Sequence, residues 1–327
     1  MGAQHAPAGL STAPPVEQAG GAVTAAVKRH GRYSVLTRRD KLVLALMVGV
    51  PAFIHIFLVW VPTVASVLLS FTSWNGIGGL GAIKFVGTRN YENLLTTYDA
   101  FWPAVSHNLI WLAVFAFIAT PFGMFLAVLL DKNIRGSRLY QSALYIPVVL
   151  SLAIVGFIWE LIYSNEQGFI NNVLGTTHPD NLIDWLGNPT LNLWAVLVAA
   201  SWRHVGYIMV LYLAGLKSVD PTLREAAAID GANERQTFFQ VIFPVLAPIN
   251  IIIIVVTVIE SLRAFDLVYI INGGLNGLEL LSVLVTQNIV GESQRIGFGS
   301  AIAVVLLAIS LVPIVLYLTR TLKDEPA

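Results

Sequence analysis

Four polar residues interrupt long apolar stretches of the sequence and could do chemistry there. Arg203 and His204 stand in one stretch, and Glu260 and Ser261 stand in another. If these stretches cross a membrane, an ionised side chain at their centre costs at least about 2.5 kcal/mol, so it faces protein, water or a bound solute rather than lipid. Counting about 1.5 Å per residue, all four lie roughly 20 Å from the same membrane face. They predict a polar site at membrane depth, with Arg203 and Glu260 as a candidate ion pair.

Three functions are open to these residues. A proton-coupled secondary transporter would use Arg203, His204 and Glu260 as a relay, and a solute site would use them to bind its ligand. An ion pair that only joins two helices is the third interpretation, because intramembrane charges commonly pair with one another. Catalytic residues are not expected, since the sequence lacks H-E-x-x-H. It also lacks the nucleotide-binding pattern G-x-x-x-x-G-K-[ST], so any ATP must be hydrolysed by a partner.

The overall composition indicates a membrane protein surrounded by lipid. The chain is 56% hydrophobic and 12% charged, whereas a soluble domain carries about 25% charged residues. Its formal net charge of zero argues against a nucleic-acid partner, which would require a basic surface. The absence of cysteine excludes disulfides, thiolate metal sites and thiol nucleophiles.

Six apolar stretches are long enough to cross the roughly 30 Å hydrocarbon core as helices of about 20 residues. They are Leu42–Phe71, Val105–Leu130, Ala143–Tyr163, Leu191–Leu216, Val245–Ile271 and Phe298–Leu318. A further stretch, Leu278–Val290, is too short and too polar to span, and it is predicted to be interfacial or re-entrant. The sequence therefore predicts an all-α polytopic membrane protein with six transmembrane helices.

The basic residues predict the orientation of these helices, because Lys and Arg are retained on the cytoplasmic side. With the N-terminus inside, 14 of the 19 Lys and Arg residues are cytoplasmic and three are outside. Both termini are thus predicted to be cytoplasmic, with a disordered basic tail over residues 1–40, a six-helix membrane domain over 41–322 and a short tail over 323–327. The first span is expected to be retained rather than cleaved, and to be kinked near Pro51 or Pro62.

The longest polar segment between two spans is the predicted cytoplasmic loop at residues 217–244. Asp220 and Pro221 form a good helix start, with a capping acceptor followed by proline; Thr222 and Glu225 have capping-box spacing and offer an alternative start. Gly231 suits the left-handed end of that helix, and a second helix can follow before Pro244. Two helices in so long a loop favour a docking surface, the alternative being an amphipathic helix that rests on the bilayer.

The loop resembles that of the membrane subunits of ABC importers, and within them the carbohydrate-uptake branch that includes the larger permease subunit of the maltose transporter. The matching loop residues are Glu225-Ala226-Ala227, Asp230-Gly231-Ala232, Phe238-Phe239, Ile242 and Pro244. Support elsewhere comes from Phe85-Val86-Gly87, Asn90-Tyr91, Pro147, Gly168, Asn171-Asn172, Trp202, Tyr207 and Asn272-Gly273-Gly274. Leu275 replaces the proline that usually follows the two glycines, and the tail before Tyr33 lies outside the resemblance.

This resemblance implies a type I ABC importer permease fold in the cytoplasmic membrane of a prokaryote. It implies a second homologous permease, an ATPase dimer and an extracytoplasmic solute-binding protein as partners, with ATP and Mg bound by the ATPase and no cofactor bound by this chain. The residues implied to couple the spans to the ATPase are Glu225, Ala226, Ala227, Asp230, Gly231, Ala232 and Pro244. A capped helix would transmit ATPase closure as a rigid lever.

The resemblance also implies inward transport of a carbohydrate. Counted from the loop motif, the family's sugar contacts fall on Arg203, His204, Tyr207, Thr257, Glu260, Ser261 and Ala264, of which Tyr207 keeps the family's residue type. An aromatic face and planar hydrogen-bonding groups suit a polyhydroxylated ring. An anionic solute such as glycerol phosphate is the alternative within the same family. Arg263 and Asp266 are interpreted as a structural pair.

Overall fold

The computed structural model describes residues 37–132, 134–291 and 294–324. Most of the predicted N-terminal tail, and residues 325–327 of the C-terminal tail, lie outside these ranges. Contacts divide the chain into two units, Met1–Ile56 and Phe57–Ala327. Of the first unit the structure describes residues from Thr37 onward, in which Arg38–His55 are helical and none is buried. The second unit contains every site discussed below.

The described residues fold into helices, and β-type pairing among them is limited to one isolated antiparallel bridge between Thr72 and Phe85. We number the helices α1 Arg38–Leu69, α2 Arg89–Thr96, α3 Phe101–Asp131, α4 Ser137–Val149, α5 Leu152–Ile162, α6 Phe169–Leu174, α7 Asn192–Ser218, α8 Pro221–Ile229, α9 Glu234–Val245, α10 Ala247–Leu262, α11 Asp266–Asn272, α12 Leu281–Ile289 and α13 Ile296–Asp324. The predicted all-helical class is confirmed for the described part of the chain.

Four described helices are long and apolar enough to cross a membrane: α1, α3, α7 and α13. The number reaches six if each of two bent pairs crosses as one span. The pair α4 and α5, predicted as one span, bends by 101°. It bends because Leu150 and Ser151 are extended, and the Ser151 hydroxyl caps α5 by accepting from the Ile154 amide at 3.3 Å. The pair α9 and α10–α11 bends by 76°, at Leu246.

Three of the helices widen into a π-helical turn just before a proline. Pro62, Pro121 and Pro244 each follow a π-helical turn by two residues, at Ile56–Trp60, Phe115–Ala119 and Thr237–Ile242 respectively. A proline lacks an N–H and its ring crowds the carbonyl one turn earlier, and a wider turn relieves that clash. The irregularity of α1 therefore lies just before Pro62, whereas Pro51 sits within regular helix.

Helix α7 is the centre of the second unit, with close packing against both α3 and α4. Glycines permit this packing: a Cβ on Gly123 of α3 would lie 2.9 Å from the Val205 carbonyl oxygen, and one on Gly206 of α7 would lie 2.3 Å from the Leu144 carbonyl oxygen. Small residues allow such helix approach in membranes, where packing rather than water exclusion drives association. The polar residues of α7 are consequently held in a rigid frame.

The helix ends differ slightly from the predicted boundaries. Helix α1 begins at Arg38, because Thr37 and Asp40 form a reciprocal capping box, so its start falls inside the predicted 1–40 tail. At the other end α13 continues to Asp324, into the predicted 323–327 tail. The predicted interfacial segment Leu278–Val290 contains the nine-residue helix α12, which is too short to span a bilayer.

Candidate functional site

The ion pair predicted between Arg203 and Glu260 is present. Arg203 on α7 and Glu260 on α10 approach to 3.6 Å between Nη1 and Oε2, with 27% and 41% of their side chains exposed. The Arg203 Nε is buried and has no hydrogen-bond partner among the described residues. The pair therefore joins two helices while leaving donor capacity on the guanidinium unused.

His204 faces a different set of partners from its neighbour. Its ring stacks on Phe115 with centroids 4.1 Å apart. Its Nε2 lies 3.4 Å from the hydroxyls of both Thr120 and Thr257, which are themselves 3.2 Å apart. These contacts join α3, α7 and α10 in one buried polar cluster. Thr120, which sequence reasoning missed, precedes Pro121 at the end of the π-helical turn.

A cavity of about 140 Å³ adjoins the ion pair. Its lining includes the charged or titratable residues Arg203, His204, Glu260, Arg263 and Asp266, the aromatic residues Trp111, Phe115 and Phe265, and Leu152, Ala200, Ala264 and Leu267. The aromatic residues were not anticipated from sequence, because nothing local distinguishes them from other apolar side chains of a span. Trp111 is 1% exposed, and its indole N–H has no acceptor within the described part of the chain.

The cavity does not contain all the predicted substrate residues. Tyr207 is half-buried against a separate apolar cluster that includes Ile208 and Met209. Ser261 is fully buried, and its hydroxyl donates to the Val258 carbonyl at 3.0 Å. Thr257 is engaged with His204 and Thr120 behind the cavity wall. The cavity lining thus includes Arg203, His204, Glu260 and Ala264. Thr257 contacts His204 without lining the cavity, and Tyr207 and Ser261 also lie outside the lining.

Arg263 and Asp266 do not form the predicted structural pair, since no ion pair joins them in the described residues. The expectation assumed helical spacing, but α10 ends at Leu262 and α11 begins at Asp266. Both residues line the cavity instead. The break between the two helices therefore adds charged groups to the candidate site.

The loop helix α8 has the predicted ends. Asp220 caps it by accepting from the Thr222 amide at 2.9 Å, and this hydrogen bond lowers the pKa of the Asp220 carboxyl. Gly231 has φ of +78°, and the amides of Gly231 and Ala232 bond back to the Ala228 and Ala227 carbonyls. That arrangement is a Schellman-type helix end. Helix α9 then begins with a capping box between Asn233 and Gln236.

Helix α8 presents two opposite kinds of surface. Ala227 is 6% exposed, and Leu223 packs against the core cluster that includes Ile208 and Met209. Four residues at helical spacing, Thr222, Glu225, Ala226 and Ile229, are exposed on another face. Ile229 is 87% exposed, so a large apolar side chain on this face is free to contact a partner. Of the other predicted coupling residues, Asp230, Gly231 and Pro244 are exposed and Ala232 is half-buried.

Two ion pairs fasten the loop to the end of α3. The adjacent residues Asp131 and Lys132 each hold one loop helix: Asp131 accepts from Arg224 of α8 at 2.7 Å, and Lys132 pairs with Glu234 of α9. Sequence reasoning missed both pairs, because each joins residues that are far apart in the chain. The two pairs therefore connect both loop helices, α8 and α9, to the end of α3.

The described residues contain no group of three or more His, Asp or Glu side chains that could hold a metal ion. The candidate sites are a charged and aromatic cavity between α3, α7 and α10–α11, and an exposed helix face on the loop.

Comparisons with a family model and with individual proteins identify the same kind of protein. Residues 119–322 match the family of binding-protein-dependent transport system inner membrane components. The chain is 36% identical over 260 residues to the xylose/arabinose import permease protein XacH of Haloferax volcanii, covering 75% of this chain and 81% of that protein. It is 32% identical over 257 residues to the arabinooligosaccharides transport system permease protein AraP of Bacillus subtilis, covering 75% and 79%.

The fold is also similar to that of a solved transporter. A chain in the crystal structure of a bacterial alginate ABC transporter, in complex with an alginate pentasaccharide-bound periplasmic protein, superposes with a TM-score of 0.72 at 19% identity. The match covers 88% of this chain and 97% of that one. The family match spans more than half of the sequence and includes α7, the loop and α10. The chain belongs to the inner membrane components of binding-protein-dependent transport systems.

Proposed function

We propose that this chain is the permease subunit of an ATP-driven importer, and that it moves a sugar or oligosaccharide inward while a separate ATPase dimer hydrolyses ATP. The observation that carries the proposal is the exposed face of α8, where Glu225, Ala226 and Ile229 stand on a helix capped at both ends. A rigid helix with an exposed apolar residue suits a cleft in a partner. Because the ATPase dimer hydrolyses the ATP, the permease chain itself is proposed to be non-catalytic.

The chemistry of the cavity favours a neutral polyhydroxylated solute over an anionic one. Arg203 and Arg263 are balanced there by Glu260 and Asp266, so the charged groups can donate to and accept from hydroxyls without a net positive charge. An anion such as glycerol phosphate would require surplus cationic donors. Phe265, the partly exposed aromatic residue of the lining, supplies aromatic surface for a ring. The names of the permeases described above support the same class of substrate.

The size of the cavity favours a site shared with a second permease. Its volume of about 140 Å³ is below the roughly 300–1,000 Å³ typical of small-molecule sites. A homologous partner that faces α7 and α10 would supply the remaining wall. The solute would reach this path from an extracytoplasmic binding protein, by analogy with the alginate transporter, whose complex contains a periplasmic protein loaded with the pentasaccharide.

Copurification followed by transport measurements tests the proposal. The tagged chain is purified from its native membrane, its partners are identified by mass spectrometry, and the complex is reconstituted for uptake of labelled neutral sugars and glycerol phosphate. We expect an ATPase and a second permease in the complex and ATP-dependent sugar uptake. Uptake driven by a proton gradient without ATP would establish the secondary-transporter alternative, and uptake of glycerol phosphate alone would establish the anionic substrate.

A matched pair of loop variants tests the docking face directly. Glu225→Lys reverses a charge on the exposed face, whereas Gln240→Lys adds a charge at an exposed position on α9. We expect Glu225→Lys to lower ATPase recovery and sugar uptake at equal membrane abundance, and Gln240→Lys to leave both near the unmodified level. Equal ATPase recovery and uptake in the two variants would exclude α8 as the docking helix.

A further inference from the structure

A second, larger cavity lies beside the loop helices and is separate from the candidate substrate site. It has a volume of about 600 Å³ and lies between the end of α3, the loop helices α8 and α9, and the end of α7. Four of its residues, Met124, Phe125, Val128 and Asp131, share one face of the last two turns of α3. Its position at the ends of two spans places it at a membrane interface, which the distribution of basic residues predicts to be cytoplasmic.

The apolar part of this cavity opens to the surroundings of the protein. Phe125 on α3 and Phe239 on α9 both line it, yet they are 54% and 53% exposed. Phe238 and Ile242 form the inner wall of the cavity, and the Phe238 ring meets the Phe239 ring edge to face with centroids 5.0 Å apart. Exposed aromatic residues at the end of a span are suited to contact with acyl chains at the interface. An occupant of this part must therefore be largely apolar.

The polar part of the cavity carries more positive than negative groups. Lys132, Arg224 and Arg235 line it together with Asp131 and Glu234. The two carboxylates are engaged by Lys132 and Arg224, whereas Arg235 has no ion pair among the described residues. Because lysine and arginine each retain unused N–H donors after one contact, all three cations can still donate to an oxyanion. The polar part is thus complementary to one negative charge.

We propose that this cavity binds one anionic phospholipid of the inner leaflet, with its phosphodiester at Arg235 and its acyl chains along Phe125 and Phe239. Basic pockets between transmembrane helices on the cytoplasmic side recognise such headgroups through the same combination of charge and apolar wall. The lipid contacts α3, α8 and α9 at once, so its occupancy stiffens the connection between the loop and the spans. Arg224 and Ala228 of α8 line the cavity, on a flank distinct from the exposed face that carries Thr222, Glu225, Ala226 and Ile229. Lipid and ATPase can therefore bind together.

Lipid retention by the assembled transporter tests this site. The complex is reconstituted in nanodiscs with equal phosphatidylglycerol and phosphatidylcholine, extracted into detergent, and the lipids that remain bound are counted by native mass spectrometry. We expect an excess of phosphatidylglycerol over phosphatidylcholine of one molecule per chain. Arg235→Gln should lower that preference about fivefold, the effect of one basic residue near an anionic surface, and Arg235→Lys should preserve it.

The matched control is Arg135→Gln, which removes the same charge on the same predicted side at an exposed residue outside the cavity. We expect this variant to retain the preference. An equal loss in the Arg135→Gln and Arg235→Gln proteins would assign the effect to general surface charge and overturn the site, as would equal retention of both lipids by the unmodified complex. Displacement of phosphatidylglycerol by millimolar glycerol phosphate would show a site for a free phosphate instead of a lipid.

Discussion

Removal of the Arg203–Glu260 ion pair gives the sharpest test of the proposed substrate cavity. At the observed 3.6 Å separation, two unit charges interact by about 5 kcal/mol for an effective dielectric constant of about 20. Glu260 is 41% exposed and Arg203 27%, so solvent screening reduces this upper bound to about 1 kcal/mol. The expected coupling is therefore modest, and it corresponds to a change of roughly fivefold in an equilibrium constant.

The variants are Arg203→Met, Glu260→Leu and the double substitution, which replace each charged side chain by an apolar one of similar size. Each single change leaves a lone charge at membrane depth and should lower membrane abundance and the thermal midpoint of the purified complex. The double variant should recover both, because no unpaired charge remains. If the two residues bind the sugar, its uptake should stay low at equal abundance and subsaturating substrate.

Arg89→Met is the control, because it removes a charge from α2 far from the cavity residues in sequence and outside the cavity lining. It should change neither abundance nor uptake. The reasoning would be refuted by a double variant that transports the native substrate at the unmodified rate. That result would leave the ion pair with a structural role only.

The loop and the helix packing lead to four further predictions. A cysteine at Asn233 should be labelled from the cytoplasm and one at Tyr91 from outside; labelling of the first in intact cells by an impermeant reagent would overturn the topology. Gly231→Ala should lower the free energy of unfolding by about 1 kcal/mol, because φ is +78°. It should reduce uptake only slightly, because nothing lies within 4 Å of the added Cβ; an uptake as low as that of an inactive transporter would contradict this. Gly231→Pro should abolish coupling with insertion intact, because it fixes φ near −65° and removes the bond to Ala228; unchanged ATPase stimulation would disprove it. Gly206→Ala should lower stability by about 1–3 kcal/mol, and with it the membrane abundance, because the added Cβ would clash with the Leu144 carbonyl oxygen. A normal thermal midpoint would refute the α4–α7 contact.

Features that depend on a few consecutive residues could be predicted from the sequence. Apolar stretches predicted the long helices, because backbone N–H and C=O groups in lipid must be hydrogen-bonded within the same helix. The limits of α8 followed from Asp220 and Gly231, whose side chain and backbone conformation act on residues close to them in the chain. The pairing of Arg203 with Glu260 was also predictable, from depth and charge together.

Which of these residues meet could be known only from the folded chain. The bend at Leu150 and Ser151 could not be predicted from a proline or glycine, because neither stands at the break, although Ser151 caps the following helix. Trp111 lines the cavity and Tyr207 does not, because α3, α7 and α10 rotate to optimise packing over their whole lengths. The ion pairs of Asp131 and Lys132 with the loop join distant positions of the chain. Local hydrogen bonding fixes a helix, whereas the choice of helix neighbours depends on the combined packing of surfaces that are far apart in sequence.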